Sequence, residues 1–391
     1  MSFFSRISII AFFSFAFSVF AQSPVPEGAN LETIMTGLKF VEGPVWKDSV
    51  GLLFSDMNAN TIYKWTPDSG KSVFLFPSDT SNGLTYDLQG RLIMAQCGLR
   101  RVSRLNSDGT ETSLASGYKG KRLNSPNDLA VKFDGAIFFT DPPFNIPTGK
   151  RQQLSFAGIY RISPSGALQL LDSTLALPDG ICFSPDQTKL YVNDSQVRII
   201  YVWDVVDDSL ITNKRKFASI RPYGYADGMK TDSAGNLFCV GPMGVWVFSP
   251  AGTLLDTILV PGTTSNRNWG DADRKTLYIT GGNSVYRIRL TETTGIDKID
   301  QSSVNSFGLN QNYPNPFNPS TTIEYSIGKA GFVNLKIYNV LGRKIKTLIN
   351  TKEDAGNYAV RFDANHLNSG IYFYSIHSGN FVQYKKMLLL K

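Results

Sequence analysis

Six segments of this chain repeat one another, and their period constrains the fold more than any other feature. They are EGPVWKDSVGLLFSD from Glu42, NGLTYDLQGRLIMAQ from Asn82, NDLAVKFDGAIFFTD from Asn127, DGICFSPDQTKLYVND from Asp179, DGMKTDSAGNLFCVG from Asp227 and NRNWGDADRKTLYITG from Asn266. Successive starts lie 40, 45, 52, 48 and 39 residues apart. Each unit opens on a polar residue. A short apolar strand, an Asp- or Gly-containing turn and a second apolar strand follow. Further strands such as TIYKW, RRVSRL, GIYRIS and GVWVFS come after these. Repeats of this length with four short strands predict propeller blades, so the expected fold is all-β, with a six-bladed β-propeller over residues 30–290. The sixth blade runs out of chain after Leu290 and needs an outer strand. Leu31-Glu32-Thr33-Ile34-Met35 is placed to supply it, which would close the ring and remove an exposed sheet edge.

In a propeller the first strand of each blade lines the channel, so equivalent residues converge. Here the converging set is Glu42, Asn82, Asn127, Asp179, Asp227 and Asn266, three carboxylates and three amides. Asn-Gly, Asp-Gly and Asn-Asp are ordinary turn formers, which accounts for four of these one at a time. It does not account for Glu42, nor for three carboxylates aimed at one axis, which repel unless a cation or protons lie between them. An all-oxygen donor set suits a hard divalent cation. Ca²⁺ comes first, with Mg²⁺, Mn²⁺ and Zn²⁺ as alternatives. Asp56, Asp141 and Asp194, each ending the second strand of a blade, read as structural strand-end residues. Trp46, Trp65, Trp203 and Trp246 read as packing between blades.

Several chemistries are excluded. The only histidines, His366 and His377, lie far beyond the repeats, so no Ser-His-Asp or Cys-His device fits the propeller. Cys97, Cys182 and Cys239 form no CxxC or Cys/His pattern. This argues against a zinc–thiolate site and leaves disulfide pairing open. The net charge of +7 suggests nucleic acid, but residues 303–391 hold ten Lys/Arg against four Asp/Glu and the repeats are nearly neutral. No basic stripe with interleaved aromatics occurs there, so no nucleic-acid partner is expected.

The phrases VEGPVW (41–46), GKRLNSPNDLAVKFDGAIFFTDPPF (120–144), LPDGICFSPDQTKLYVNDS (177–195), ADGMKTDSAGNLF (226–238) and DRKTLYITGGNSVYRIRL (273–290) occur in order and at blade spacing. Together they resemble the senescence-marker-protein/gluconolactonase/luciferin-regenerating-enzyme-like propellers. The resemblance implies a hydrolase of sugar lactones with one divalent metal held by Glu42, Asn127, Asp179 and Asp227. That metal would act as a Lewis acid, with Asp227 as general base and Asp179 as the second candidate. Asn82 and Asn266 would bind substrate. Three departures bear on specificity. Asp179 stands where the family usually has Asn. QCGLRR (96–101) lacks a histidine found in similar gluconolactonases. Ser125 occupies the place of an arginine found in some members, with Arg101 or Arg122 as possible substitutes. Residues 142–155 form the longest insertion between repeats, a pocket wall or a plain surface loop. Arylester or organophosphate hydrolysis on the same metal, or a non-catalytic binding propeller, are the competing functions.

Both ends of the chain speak to location. Ile9 to Phe20 is apolar apart from Ser14 and Ser18, follows Arg6 and precedes Val19-Phe20-Ala21. This reads as a cleaved secretory signal over residues 1–21. Residues 291–308 are polar and read as a linker. From 309 to 391, alternation such as Val333, Leu335 and Ile337 against Asn334, Lys336 and Tyr338 predicts a small β-sandwich. YPNPFNPSTTI, YNVLGRKI, LNSGIYFY and KKMLLLK resemble the C-terminal sorting domain of type IX (Por-type) secretion cargo. That implies export through the periplasm by outer-membrane secretion machinery, to the medium or the cell surface.

Overall fold

The computed structural model describes residues 23–26, 28–206, 209–220, 224–290, 307–379 and 381–391. The signal-like segment and most of the polar 291–308 stretch lie outside them. Two compact units divide between Thr293 and Thr294.

The first unit contains six four-stranded antiparallel sheets. Their inner strands are Val41–Lys47, Ser81–Tyr86, Leu129–Val131, Pro178–Phe183, Met229–Thr231 and Asn266–Gly270. Each inner strand packs against the next, and the last packs against the first, so the sheets close into a ring. The sixth sheet is completed by Leu31–Met35, which pairs with Ser284–Arg289. Strands from the two ends of the unit therefore share one sheet, and the ring has no free joint.

Six apolar clusters fill this ring, one between each pair of neighbouring blades. The alternation of the strands explains the placement. Successive side chains point to opposite faces, and each face of a blade meets a neighbour, so most central positions are apolar. Leu52, Leu53 and Phe54, consecutive in one strand, are all fully buried but divide between two clusters. Trp46 and Trp65 both lie against Tyr278 across the joint of the first and sixth blades, Trp46 stacked at 5.3 Å. Cys97, Cys182 and Cys239 are buried free thiols and pack as small apolar residues.

The second unit has a three-stranded sheet (Gly308–Leu309, Ser320–Ile327, Gly356–Asp363) and a four-stranded one (Lys344–Glu353, Gly331–Asn339, Gly370–Ser378, Phe381–Leu389). They share one core containing Ile323, Tyr325, Leu335, Tyr374 and Met387, which makes a sandwich. Val333, Leu335 and Ile337 are fully buried, as their alternation predicts. The first strand begins at Gly308, one residue inside the stretch expected to be linker. His366 is exposed, and His377 lies edge-on to Tyr384.

The inter-blade clusters carry the stability of the ring. Phe138 is fully buried and meets Phe183 of the next blade edge-to-face at 4.9 Å. Phe138→Ala is expected to lower unfolding free energy by about 3–5 kcal/mol, read from urea denaturation.

Candidate active site at the ring of inner strands

The six repeat-opening residues meet at one level of the ring. Glu42, Asn82, Asp179 and Asn266 lie in their inner strands. Asn127 and Asp227 stand two residues before theirs but continue the pairing, the Asn127 amide donating to the Thr140 carbonyl at 2.9 Å and the Asp227 amide to the Val240 carbonyl at 3.3 Å. The following Gly is not a turn residue here. In the first, second and fourth blades the strand register shifts just after the ring residue, between Glu42 and Val45, Ser81 and Leu84, and Pro178 and Ile181. Such a bulge re-aims the adjoining side chain. The glycines also permit close approach. A Cβ on Gly43, whose φ is +48°, would sit 2.2 Å from the Asn82 carbonyl oxygen, and one on Gly228 would sit 2.0 Å from Asn266 Oδ1.

Hydrogen bonds link every joint at this level. Ser55 Oγ donates to the Asn82 carbonyl at 2.8 Å, and the Gly83 amide to the Asn127 carbonyl at 2.8 Å. Thr140 Oγ1 donates to the Asp179 carbonyl at 2.6 Å, and Asn193 Nδ2 to the Asp227 carbonyl at 2.5 Å. The Gly228 amide donates to the Ser265 carbonyl at 3.0 Å, and Ser265 Oγ to the Val41 carbonyl at 2.6 Å, closing the circle.

The strand-end acids hold the approach to this ring. Asp56 accepts from the Lys39 and Phe40 amides, both at 3.0 Å. Asp141 accepts from those of Asn124 and Ser125, both at 2.8 Å. Asp194 accepts from those of Ala176 and Leu177 at 2.7 and 3.3 Å. In all three blades the bound amides lie three and two residues before the ring residue. The structural reading of these acids holds, with a sharper role: each fixes the segment that delivers Glu42, Asn127 or Asp179.

Glu42, Asn82, Asn127, Asp179 and Asn266 are buried, whereas Asp227 is partly exposed. Asp179 Oδ2 accepts from Ser195 Oγ at 2.7 Å, leaving Oδ1 buried without a hydrogen-bond partner among the described residues. Asn82 Oδ1 is likewise buried and unpartnered. Asn127 and Asp227 lie beside Asp179. Glu42 Oε2 accepts from the Gly43 amide at 3.0 Å, with Asn266 beside it. Asn266 thus turns to Glu42, while its Oδ1 accepts from the Arg267 amide at 2.8 Å. Among the described residues no three His, Cys, Asp or Glu side chains stand together as a ready metal-binding group, so an ion at this ring must also draw on amide oxygens.

Burial, reinforced by the charge of Asp179, pushes the Glu42 carboxyl up to about 8. Burial pushes Asp179 up to about 7 against the Ser195 hydrogen bond. Burial, then Asp179 and Glu42, push Asp227 well above the carboxylate range. Sequence reasoning missed Asp128, which is 2% exposed, accepts from the Leu129 amide at 2.9 Å and the Ile181 amide at 3.3 Å, and forms an ion pair with Lys230 Nζ at 3.5 Å. Its place beside Asn127 is the one signal that could have found it.

The arginines put forward from the sequence are engaged elsewhere. Arg101 pairs with Glu111 and donates to Gln96 Oε1 at 2.6 Å, and the exposed Arg122 donates to the Leu99 carbonyl. The inserted 142–155 segment is tethered: the Arg151 carbonyl accepts from Arg100 Nη1 at 3.1 Å, and Leu154 joins the cluster between the second and third blades.

Residues 40–283 match the family model of the SMP-30/Gluconolactonase/LRE-like region. The chain belongs to this family. Residues 311–390 match the secretion system C-terminal sorting domain. A gluconolactonase of Zymomonas mobilis subsp. mobilis is 36% identical over 294 residues, 68% of this chain and 82% of that protein. A pentonolactonase of Haloferax volcanii is 24% identical, over 63% of this chain and 82% of that protein. The solved structure of a Xanthomonas campestris gluconolactonase superposes with a TM-score of 0.64 at 36% identity, covering 67% of this chain and 90% of that one.

The raised carboxyls make a signed prediction for the metal-free protein. Glu42 and Asp179 titrate near 8 and 7 when folded, against 4.5 and 3.8 ordinarily. Between these values the folded state holds more protons than the unfolded state, so stability falls as pH rises. In EDTA, unfolding free energy is expected to decline from pH 4 to about pH 8, and less steeply in Glu42→Gln. Denaturant titrations across this range decide it; an identical slope in the variant would show that Glu42 is not a source of it.

Proposed function

We propose that the propeller is an exported, metal-dependent hydrolase that opens sugar lactones. The observation that carries this reading is the buried, unpartnered Asp179 Oδ1, set beside Asn127 and Asp227 among acids whose carboxyls burial holds high. Unsatisfied acceptors in a buried, electronegative ring are what a hard cation relieves. The oxygen-only donor chemistry fits such an ion, Ca²⁺ first; since no three acids yet stand together among the described residues, Glu42, Asn127, Asp179 and Asp227 would draw in around it to hold it. Kinship to gluconolactonases supports lactones as the substrate class.

When bound, the cation supplies Lewis-acid polarisation of the lactone carbonyl. Asp227 is the general base. It is the partly exposed member of the ring; its Oδ1 accepts from the Gly228 amide at 2.9 Å, and its carboxyl lies beside that of Asp179. Burial and the neighbouring Asp179 raise its affinity for protons, the direction that suits a general base. As the water oxygen adds to the carbonyl carbon, Asp227 takes its proton. It returns that proton to the ring oxygen when the C–O bond breaks. Asp179, fixed by Ser195, keeps Asp227 basic by charge repulsion and is the alternative base. Asn82 is the ring amide left to bind substrate, and Asn266 acts by orienting Glu42. The tail supports export through the periplasm and handling by outer-membrane secretion machinery.

A pH-stat assay of the full chain on a panel of sugar lactones tests the chemistry, with EDTA and then Ca²⁺, Mg²⁺, Mn²⁺ or Zn²⁺ added back. Turnover is expected to vanish in EDTA and return with one of these ions. Asp227→Asn is expected to lower kcat by about 10²–10⁴-fold, and Glu42→Gln to abolish tight metal binding. A folded, metal-loaded chain without turnover would favour a binding module. Deleting 309–391 is expected to leave the protein in the periplasm of a type IX-competent host, read by fractionation.

A further inference from the structure

Below the ring residues the inner strands carry a second layer, the residue that follows each of them. In four blades this is glycine: Gly43, Gly83, Gly180 and Gly228. In the third and sixth blades, which stand opposite each other in the ring, it is Asp128 and Arg267. Arg267 is fully buried. Its Nη1 donates to the Gly228 carbonyl at 2.6 Å, while Nε and Nη2 have no hydrogen-bond partner among the described residues. The buried Cys239 and Cys182 are its strongest electrostatic neighbours, with the carboxylates of Asp128 and Asp227 next. Lys230, from the fifth blade, places its ammonium 3.5 Å from Asp128 Oδ2.

A fully buried guanidinium making one hydrogen bond is expensive unless its charge is used. The ring supplies the use. Glu42, Asp128, Asp179 and Asp227 are four buried or partly buried acids; of the cations near them, Lys230 pairs with Asp128 and Arg267 lies in the field of Asp128 and Asp227. If all ionise, two negative charges remain, which one divalent cation cancels.

We propose that Arg267, assisted by Lys230, is a resident counter-cation of the channel, stabilising the acidic ring when no metal is bound and moderating its grip on the metal. It acts on the ion's field without ligating it, and is therefore a positioning residue. The proposal rests on the reading that the ring takes a divalent cation. It predicts an unusual sign: neutralising a buried residue next to the site strengthens ion binding, since a positive charge that repels the ion has gone. A residue that merely props the ring would, when removed, weaken binding.

The test uses the full-length chain, with Ca²⁺ titrated calorimetrically and thermal unfolding recorded in EDTA and in saturating Ca²⁺. Arg267→Met is expected to lower the Kd for Ca²⁺ about tenfold or more and to lower the Tm in EDTA, with the gap to wild type narrowing when Ca²⁺ saturates. Arg267→Lys, which keeps the charge, is expected to bind Ca²⁺ nearly as wild type does. Lys230→Met, less buried, gives the same sign with a smaller shift and serves if Arg267→Met does not fold. Weaker or unchanged Ca²⁺ binding in both Met variants overturns the proposal. A wild type that binds no divalent ion would overturn the metal reading instead. The charge role is then decided in EDTA, by comparing the Tm loss of Arg267→Met alone and in an Asp128→Asn background. A loss reduced by half or more sustains the pairing, and an unchanged loss refutes it.

Discussion

The close approach of six inner strands is the constraint on which the rest of the propeller depends. In four blades the inner strand leaves no room for a Cβ after the ring residue: one built on Gly43 would lie 2.2 Å from the Asn82 carbonyl oxygen, and one on Gly228 2.0 Å from Asn266 Oδ1. Once the strands are that close, backbone and side-chain groups bond across every joint, from Ser55–Asn82 around to Ser265–Val41. The side chain just before each glycine then has no freedom left. It is held on its own strand, pinned to the next, and in three blades delivered by an aspartate that clamps the incoming segment. A set of oxygens in fixed mutual positions follows from strand packing, before any ligand is considered. Preorganisation of this kind is what binding and catalysis draw on.

Much of this was legible in the sequence because it is periodic. The repeat starts gave the six inner strands. The missing sixth outer strand pointed to Leu31–Met35, which pairs where expected. The ring residues were found by aligning the blades, with no reference to distances. Periodicity failed where the structure departs from it. Asp128 and Arg267 stand in place of the glycine in two blades only, so the repeat pattern does not single them out, although they are the charged residues of that layer. The turn-former account of the Asn-Gly and Asp-Gly pairs stays open on sequence alone because local pattern does not distinguish a turn from a bulge that admits a neighbouring strand. Arg100, next to the Arg101 put forward for the pocket, is the buried one: its Nε reaches the Leu123 and Asn124 carbonyls at 2.6 and 2.9 Å. Nothing in the run of two arginines tells them apart.

Stability and site chemistry pull in opposite directions here, and the architecture separates them. The apolar clusters lie between the blades, out from the axis, whereas the acids lie at the inner strands, where glycines leave little side chain to pack. Burial without ionisation is what raises Glu42, Asp179 and Asp227. That state suits a metal-free molecule at low pH and frustrates one at neutral pH, where the acids tend to lose their protons. Protons, the resident cations and an added divalent ion are three ways of satisfying the same ring. The first is lost as pH rises, and the second is fixed by sequence at two charges. The third varies with the surroundings, so ring stability and ion availability are linked. For a propeller joined to a secretion-sorting tail, that linkage has a direction. On the proposed reading, the counter-charge that Lys230 and Arg267 supply only in part would come from the surroundings into which the sorting tail delivers the propeller.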